Sequence, residues 1–266
     1  MKKLIVAGDS YSDLNYRSGV LPNLDTSKWK KWPEYIAERL DMELVCLSKT
    51  GKGNEYIYSA LLEYITNTPK EEIGAVMAAW TQCHRSDYQE WGLWSTTRLD
   101  NEGDVHYWTE KTIRYYLSFQ LLCERYDLPY AHFQMNELYE GYIDGLGPTE
   151  DEQVFEGKTP EADTIWFEGN VVMTHHGLLE LFTKYDKHIN NFIGWPPIQE
   201  ERCSNLYDDY FMTSKMYRPN NFQMLSKVVG HNGKRLSKYT ISELDQHFND
   251  LGNKKVAEIL IQELNL

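Results

Sequence analysis

The stretch KLIVAGDSYSD, residues 3–13, is the most informative part of this sequence. Its apolar and β-branched run over Lys3–Ala7 ends at Gly8, a pattern typical of a buried central strand that enters a turn. Ser10 follows directly, so chemistry at its hydroxyl group would lie at the carboxyl end of a strand. A serine at this point can also cap a following helix, and the stretch alone leaves both interpretations open.

The rest of the chain alternates apolar runs with amphipathic segments. Each predicted strand is a short apolar run, and each predicted helix repeats apolar side chains at helical spacing. The predicted strands are 3–7, 43–47, 73–80 and 129–133, and the predicted helices are 32–40, 55–65, 110–126 and a last helix after the candidate cap Asn249. This alternation predicts a three-layer α/β/α sandwich with a mostly parallel sheet.

A single domain, residues 1–266, is expected because no repeat and no Ser/Gly linker divides the chain. Long loop insertions interrupt the alternation around 86–108 and 135–200, and the second contains a candidate helix over 178–192. Inserted loops on an α/β scaffold either build substrate sites or form solvated decoration.

The composition argues against a nucleic-acid partner. The chain has 40 Asp and Glu residues against 27 Lys and Arg residues, a net charge of −13, which repels phosphate backbones. Aromatic residues make up 14% of the chain, enough for a large core or for a sugar-binding cleft. Three tryptophans of the first insertion can stack on sugar rings or anchor their loop. They are Trp91, Trp94 and Trp108.

The cysteines and the N-terminal segment indicate a reduced, cytoplasmic protein. No pair of cysteines has CxxC spacing, so neither a tetrathiolate zinc site nor a disulfide framework is predicted. The cysteines are Cys46, Cys83, Cys123 and Cys203. The apolar run after the first lysines is too short for a signal peptide or a membrane span.

A nucleophile and its base are suggested by the two ends of the chain. A serine hydroxyl group is a weak nucleophile until a neighbouring base takes its proton, and Asp245 and His247 supply such a base with its own carboxylate. In a parallel sheet the loops after the strands open at one edge, so these distant residues can meet. Ser10 would attack an acyl carbonyl, His247 would transfer the proton, and Asp245 would orient the imidazole.

These motifs resemble the SGNH or GDSL family of esterases and lipases. Gly8–Ser10 after a strand matches the first block of the family, and Asp245, His247, Asn249 and Gly252 before a final helix resemble its last block. The two blocks lie at opposite ends, so the resemblance spans nearly the whole chain. It implies an SGNH/flavodoxin-like fold and a serine ester hydrolase that needs neither a metal nor an organic cofactor.

The resemblance also implies an oxyanion hole. Ser10 and Gly51 would donate backbone N–H groups, with Gly51 favoured over Gly53. The third block of the family carries an Asn side chain, but here the corresponding strand is followed by Gln82. The Gln82 amide is one methylene longer, and Asn54 is the alternative donor.

The departures from the family pattern keep two other functions open. The spacing of Asp245 and His247 is shorter than the usual Asp-x-x-His and also occurs in SGNH-like acetyltransferases. The missing Asn suggests a catalytically inactive binding or virion-structural protein. Segments such as Trp-Pro-Glu-Tyr-Ile-Ala at 32–37 resemble SGNH-like proteins of tailed bacteriophages. This resemblance would allow association with a virion.

The substrate class is expected to be a small ester. An O-acetyl group on a carbohydrate is favoured because aromatic-rich polar insertions suit sugars better than long alkyl chains.

Several other polar residues have structural interpretations beside functional ones. Asp9 and Asp13 are expected to be hydrogen-bonding scaffold residues. His84 and Arg85 follow the third strand and either contact substrate or lie in a solvated loop. The pair His175–His176, with Glu168 and Glu180 nearby, lacks zinc-site spacing, so no metal site is predicted.

Overall fold

The structure is a computed structural model that describes residues 1–97, 103, 105–136, 138, 180–195, 198–201, 216–219, 238–242, 245 and 247–266. The strands are β1 (Lys3–Ala7), β2 (Glu43–Cys46), β3 (Ile73–Trp80), β4 (Ser86–Glu90), β5 (Leu93–Thr97), β6 (Tyr130–Gln134), β7 (Phe192–Ile193), β8 (Ile198–Glu201) and β9 (Met216–Pro219). The helices are α1 (Trp32–Leu40), α2 (Asn54–Asn67), α3 (Val105–Arg125) and α4 (Asp250–Leu264), with 3₁₀ turns at Thr26–Lys28 and Lys70–Glu72.

Five strands form one parallel sheet in the order β2-β1-β3-β6-β7. The chain starts in the middle of this sheet and builds outward in both directions, so the strand order reverses between β1 and β3. In α/β proteins such a reversal opens a crevice at the carboxyl ends of the two strands. The sheet confirms the predicted fold class and directs attention to the loops that follow β1 and β3.

The sheet is covered on both faces, because successive residues of a strand point to opposite sides. Ile5 and Ala7 of β1 pack with α2 and α3, whereas Leu4 and Val6 pack with α1 and α4. All four β1 side chains are fully buried. The molecule therefore has the three predicted layers, helices on both sides of a central sheet.

The last helix begins at the predicted cap. The Asn249 side chain accepts a hydrogen bond from the Gly252 backbone N–H at 2.9 Å. A Cβ atom on Gly252 would clash with the Tyr239 carbonyl oxygen, so the glycine permits a close backbone approach. Leu251, in the first turn of this helix, is exposed.

The first insertion is more regular than predicted. Residues 86–97 form the antiparallel hairpin β4–β5, whose turn at Trp91 and Gly92 has φ angles of 52° and 77°. The next helix begins at Val105 rather than at 110, so Trp108 belongs to α3 and is buried in the core. The polar sequence concealed this hairpin because its turn lacks the usual Asn-Gly signal.

The candidate helix over 178–192 is wrong in its second half. Residues 180–185 are helical, but Phe192 and Ile193 form β7 at the edge of the sheet. The His132 N–H donates to the Asn191 carbonyl oxygen at 3.1 Å, and the Phe192 ring packs against the His132 ring. Pairing with an open sheet edge overrides the helical pattern there.

The described part of the chain contains no helix long and apolar enough to span a membrane. Cys46, Cys83 and Cys123 are free thiols, and Cys203 lies outside the described residues. Burial raises the pKa of Cys83 and of Cys123 to about 12, so both thiols are protonated and unreactive.

Candidate active site

Ser10 lies in a tight turn at the carboxyl end of β1. The Ser12 N–H donates to the Asp9 carbonyl oxygen at 3.0 Å, and the Tyr11 N–H donates to the Asp9 carboxylate at 3.1 Å. A Cβ atom on Gly8 would lie 2.5 Å from Ser12 Oγ, so a glycine is needed at this turn. The turn holds Ser10 at the reversal of the strand order.

His247 brings the two ends of the chain together. Its Nε2 lies 2.7 Å from Ser10 Oγ, and its Nδ1 lies 2.7 Å from Asp245 Oδ1. Because the Nδ1–H donates to the carboxylate, Nε2 is left to accept the Ser10 hydroxyl proton. The arrangement is a continuous hydrogen-bonded chain from a hydroxyl group through an imidazole to a carboxylate.

The short spacing between Asp245 and His247 is accommodated by a local turn. Asp245 Oδ1 accepts from the backbone N–H of His247 at 3.1 Å as well as from its ring. Ser242 closes the other side, since its Oγ accepts from the Asp245 N–H at 2.9 Å and its own N–H donates to the Asp245 carbonyl oxygen at 3.0 Å. The carboxylate therefore faces the imidazole without a longer connection.

Asp245 is held in its ionised form. It is 3% exposed, and this burial alone would raise its pKa. Hydrogen bonds from the His247 ring, the Ser18 side chain and the His247 backbone outweigh the burial and lower the pKa well below its ordinary value. A buried carboxylate that stays charged can stabilise a positive charge on the neighbouring imidazole.

Two tyrosines enclose the His247 ring, and the sequence patterns indicated neither of them. Tyr11 stacks on it with ring centres 4.4 Å apart, and Tyr16 stacks with ring centres 3.9 Å apart. The Tyr16 hydroxyl group also donates to both Asp245 oxygens, at 3.2 and 3.0 Å. The only sequence signal was the proximity of both tyrosines to Ser10.

Asp9 connects the carboxyl ends of three strands. Its Oδ2 accepts from Thr81 Oγ1 at 2.8 Å after β3 and from Asn136 Nδ2 at 2.9 Å after β6. Arg85 Nη1 lies 3.8 Å from the same oxygen. Asp9 is thus the scaffold residue that the sequence predicts, whereas Asn136, a buried polar residue just past a strand, was missed.

Gly51 lies in a turn after β2 and adopts φ +76°, in the left-handed region that favours glycine. The turn is tied to the Ser10 side of the site, because Asp13 Oδ2 accepts from Thr50 N at 2.9 Å and from Thr50 Oγ1 at 2.7 Å. Asp13 is thus also the predicted scaffold residue. Among the described residues, no group accepts a hydrogen bond from the backbone N–H of Gly51 or of Ser10.

Gly53, the less favoured candidate, is already engaged. Its N–H donates to Asp87 Oδ1 at 2.8 Å. Asp87 Oδ2 accepts from the Tyr56 N–H at 2.9 Å, so this carboxylate of β4 caps the start of α2. The hairpin therefore fixes the helix that follows the Gly51 turn.

Asn54 is held within the scaffold. Its Nδ2 donates to the Thr81 carbonyl oxygen at 3.1 Å and to Thr112 Oγ1 at 3.3 Å, and its Oδ1 accepts from the Thr81 N–H at 2.8 Å. These bonds direct the amide to the β3 loop rather than to Ser10. Gln82, partly exposed at the end of β3, is the remaining side-chain candidate of the two.

The other residues that the sequence suggested for substrate contact differ in their exposure to solvent. His84 is buried, and Arg85 donates to the Lys52 carbonyl oxygen at 3.0 Å, so neither lies in a solvated loop. Trp94 packs edge-on against Tyr56, whereas Trp91 is fully exposed at the hairpin tip.

The residues considered for a metal site lie mostly outside the described structure. His175, His176 and Glu168 are not described, and Glu180 is exposed in the helical segment 180–185. Within the described residues, no three His, Cys, Asp or Glu side chains cluster as metal ligands would.

Fold and site together define an α/β protein with a hydrogen-bonded Ser-His-Asp set at the carboxyl edge of a parallel sheet. No protein-family model and no curated protein matches the chain. Among solved structures, the chain is similar to a protein assigned to the G-D-S-L family of lipolytic proteins from Desulfitobacterium hafniense DCB-2. The match has 11% identity, covers 99% of each chain and gives a TM-score of 0.47.

Proposed function

We propose that this protein is a serine ester hydrolase whose nucleophile is Ser10. The observation that carries the proposal is the unbroken chain of contacts from Ser10 Oγ to His247 Nε2 and from His247 Nδ1 to Asp245, each 2.7 Å long. Such a chain activates a hydroxyl group that is otherwise a weak nucleophile.

The first half of the reaction forms an acyl-enzyme. Ser10 Oγ bonds to the ester carbonyl carbon while His247 Nε2 takes the hydroxyl proton. The bond between that carbon and the alcohol oxygen then breaks, and His247 returns the proton to the departing alcohol. Asp245, ionised and buried, stabilises the imidazolium that forms between these steps.

The second half reverses these roles with water. His247 takes a proton from water, the hydroxide bonds to the acyl carbon, and the bond to Ser10 Oγ breaks with return of the proton. Negative charge on the carbonyl oxygen would be stabilised by the N–H groups of Ser10 and Gly51 and by the Gln82 amide. Loss of one such donor typically lowers kcat about 100- to 1000-fold.

The proposed substrate is a small ester, with an O-acetylated carbohydrate as the favoured example. Trp91 is the remaining support for a sugar contact, because it is fully exposed while Trp94 and Trp108 pack against the protein. Aromatic faces of this kind suit the apolar faces of sugar rings.

The proposal is tested by intact-mass labelling with a fluorophosphonate and by hydrolysis of p-nitrophenyl acetate, on wild type and Ser10→Ala. A single adduct and turnover, both absent in Ser10→Ala, are expected. Folded wild-type protein that shows neither would refute the proposal and favour a binding protein. Acetylated xylan compared with long-chain lipid esters tests the substrate class, and preference for the lipid would refute it. Acetyl transfer to an added glycan in preference to water would instead identify a transferase.

A further inference from the structure

Tyr16 contacts both partners of Ser10 from one buried position. Its ring lies on the His247 ring with centres 3.9 Å apart and planes 23° apart. Its hydroxyl group donates to Asp245 at 3.0 and 3.2 Å. The side chain is 7% exposed, so water does not compete for these contacts.

We propose that Tyr16 is a positioning residue that fixes the imidazole plane of His247 and the carboxylate of Asp245 together. This inference rests on the proposed hydrolase function. It assigns to Tyr16 a part in the rate of acylation, separate from its part in packing.

The backbone around Tyr16 is held in place. The Tyr16 N–H donates to the Asp13 carbonyl oxygen at 3.2 Å, and Thr26 Oγ1 donates to the Tyr16 carbonyl oxygen at 2.6 Å. Hydrogen bonds therefore hold both the backbone N–H and the carbonyl oxygen of Tyr16 in place. A tyrosine ring on a backbone held in this way can restrict the orientation of the His247 ring as well as fill space.

Burial and the Asp245 carboxylate keep the Tyr16 hydroxyl group protonated. Asp245 and His247 face it on one side, Lys31 Nζ lies 5.9 Å from its ring centre, and Asp13 is close along the chain. Burial, and then the Asp245 charge, raise the Tyr16 pKa well above its ordinary value. The hydroxyl group therefore remains a donor throughout the pH range in which an ester is hydrolysed.

The stacking contact between Tyr16 and His247 changes in strength as the reaction proceeds. The face of an aromatic ring attracts a cation, so the stack of Tyr16 on His247 strengthens when the imidazole becomes an imidazolium. An interaction that strengthens toward the transition state lowers the barrier and raises kcat, and the Tyr16 contacts are with His247 and Asp245 rather than with substrate. We therefore expect substitution of Tyr16 to lower kcat and to leave KM nearly unchanged.

Two substitutions separate the contacts, and a third is the matched control. Tyr16→Phe removes the hydroxyl group and keeps the ring, whereas Tyr16→Leu removes both. Tyr116→Phe deletes another buried hydroxyl group, which donates to Gln134 at 2.6 Å in the core. Each variant is assayed for kcat and KM with p-nitrophenyl acetate, for the rate of fluorophosphonate labelling at Ser10, and for Tm.

Tyr16→Phe is expected to lower both kcat and the labelling rate about tenfold, because the Asp245 carboxylate that orients His247 loses a hydrogen-bond donor. Tyr16→Leu is expected to lower them about 100-fold. KM should stay within about twofold, and Tyr116→Phe should keep the wild-type rates despite a similar loss of Tm. Wild-type rates in Tyr16→Phe and in Tyr16→Leu would overturn the inference.

A readout that needs no turnover separates this inference from the proposed function. The His247 Nδ1–H proton gives a far-downfield NMR signal when the ring is fixed on a carboxylate. We expect the signal in wild type and Tyr116→Phe, and a broadened or shifted signal in Tyr16→Phe. If wild-type Ser10 is not labelled, the hydrolase proposal fails, and an unchanged signal in Tyr16→Phe overturns the positioning role independently.

Discussion

His132, in strand β6, makes the folded state sensitive to acid. It is fully buried in β6, where its Nδ1 accepts from Trp80 Nε1 at 3.1 Å and its Nε2–H donates to the Asn190 carbonyl oxygen at 3.0 Å. Burial lowers its pKa from 6.5 to about 3, only partly offset by the bond to Asn190. The imidazole is therefore neutral in the folded protein across the usual range of pH.

The sign and size of the effect follow from proton binding by the two states. Below pH 6.5 the unfolded chain protonates this histidine and the folded protein does not, so the free energy of unfolding falls as pH falls. Above pH 6.5 His132 is neutral in both states and does not lower the free energy of unfolding. At pH 5, about 1.5 units below the pKa of 6.5 in the unfolded chain, the loss is about 2 kcal/mol.

Urea denaturation of wild type and of His132→Phe at pH 7.5 and pH 5 measures this loss. The variant is less stable at pH 7.5 because Trp80 Nε1 loses its acceptor, but its free energy of unfolding should fall by about 2 kcal/mol less on acidification. Other titrating groups contribute equally to both proteins and cancel in the comparison. Equal losses in wild type and variant would refute the claim that burial keeps His132 neutral.

Three substitutions test other features of the structure. Gly252→Ala should destabilise the protein by about 1–3 kcal/mol in urea denaturation, because the new Cβ meets the Tyr239 carbonyl oxygen, whereas Gly19→Ala, which meets nothing within 4 Å, should change little; equal effects would contradict the close approach. Asp87→Ala should lower the free energy of unfolding by about 1–2 kcal/mol, with a matching fall in Tm, because the first N–H groups of α2 lose their cap. Asp87→Asn should recover part of this loss. Trp91→Ala should raise KM about fivefold on acetylated xylan and leave p-nitrophenyl acetate hydrolysis unchanged, consistent with a ring contact worth about 1 kcal/mol; parallel changes on both substrates would argue against a sugar contact.

The sequence correctly predicted the elements in which the spacing of apolar residues matches the positions that are buried in the fold. Strands β1, β2, β3 and β6 are short apolar runs, and α1, α2 and α4 carry apolar residues at helical spacing, so local pattern and tertiary environment agree. It failed at β7, where Phe192 and Ile193 are extended only because the edge of β6 is open to them. It failed also at the β4–β5 hairpin, whose fixed position depends on Asp87 reaching α2.

The candidate site divides along the same line. Ser10, Asp245 and His247 were predictable because each stands beside a strand or helix boundary with a recognisable local pattern. Asn136 was not, because its importance comes from Asp9, which lies on another strand. Contacts between residues far apart in the chain have no local signature.

The short spacing of Asp245 and His247 accounts for the place of Tyr16. When the carboxylate folds back on its own turn, the ring and backbone N–H groups of His247 both donate to Oδ1. The Ser18 side chain also hydrogen-bonds this carboxylate, and Oδ2 accepts from another part of the chain, because a buried carboxylate oxygen without a donor is costly. The Tyr16 hydroxyl group approaches within 3.0 Å of it, from the connection between β1 and α1. A tyrosine long enough to cross from that connection can donate to Oδ2 and cover the imidazole at once, a combination that neither serine nor phenylalanine at position 16 would provide.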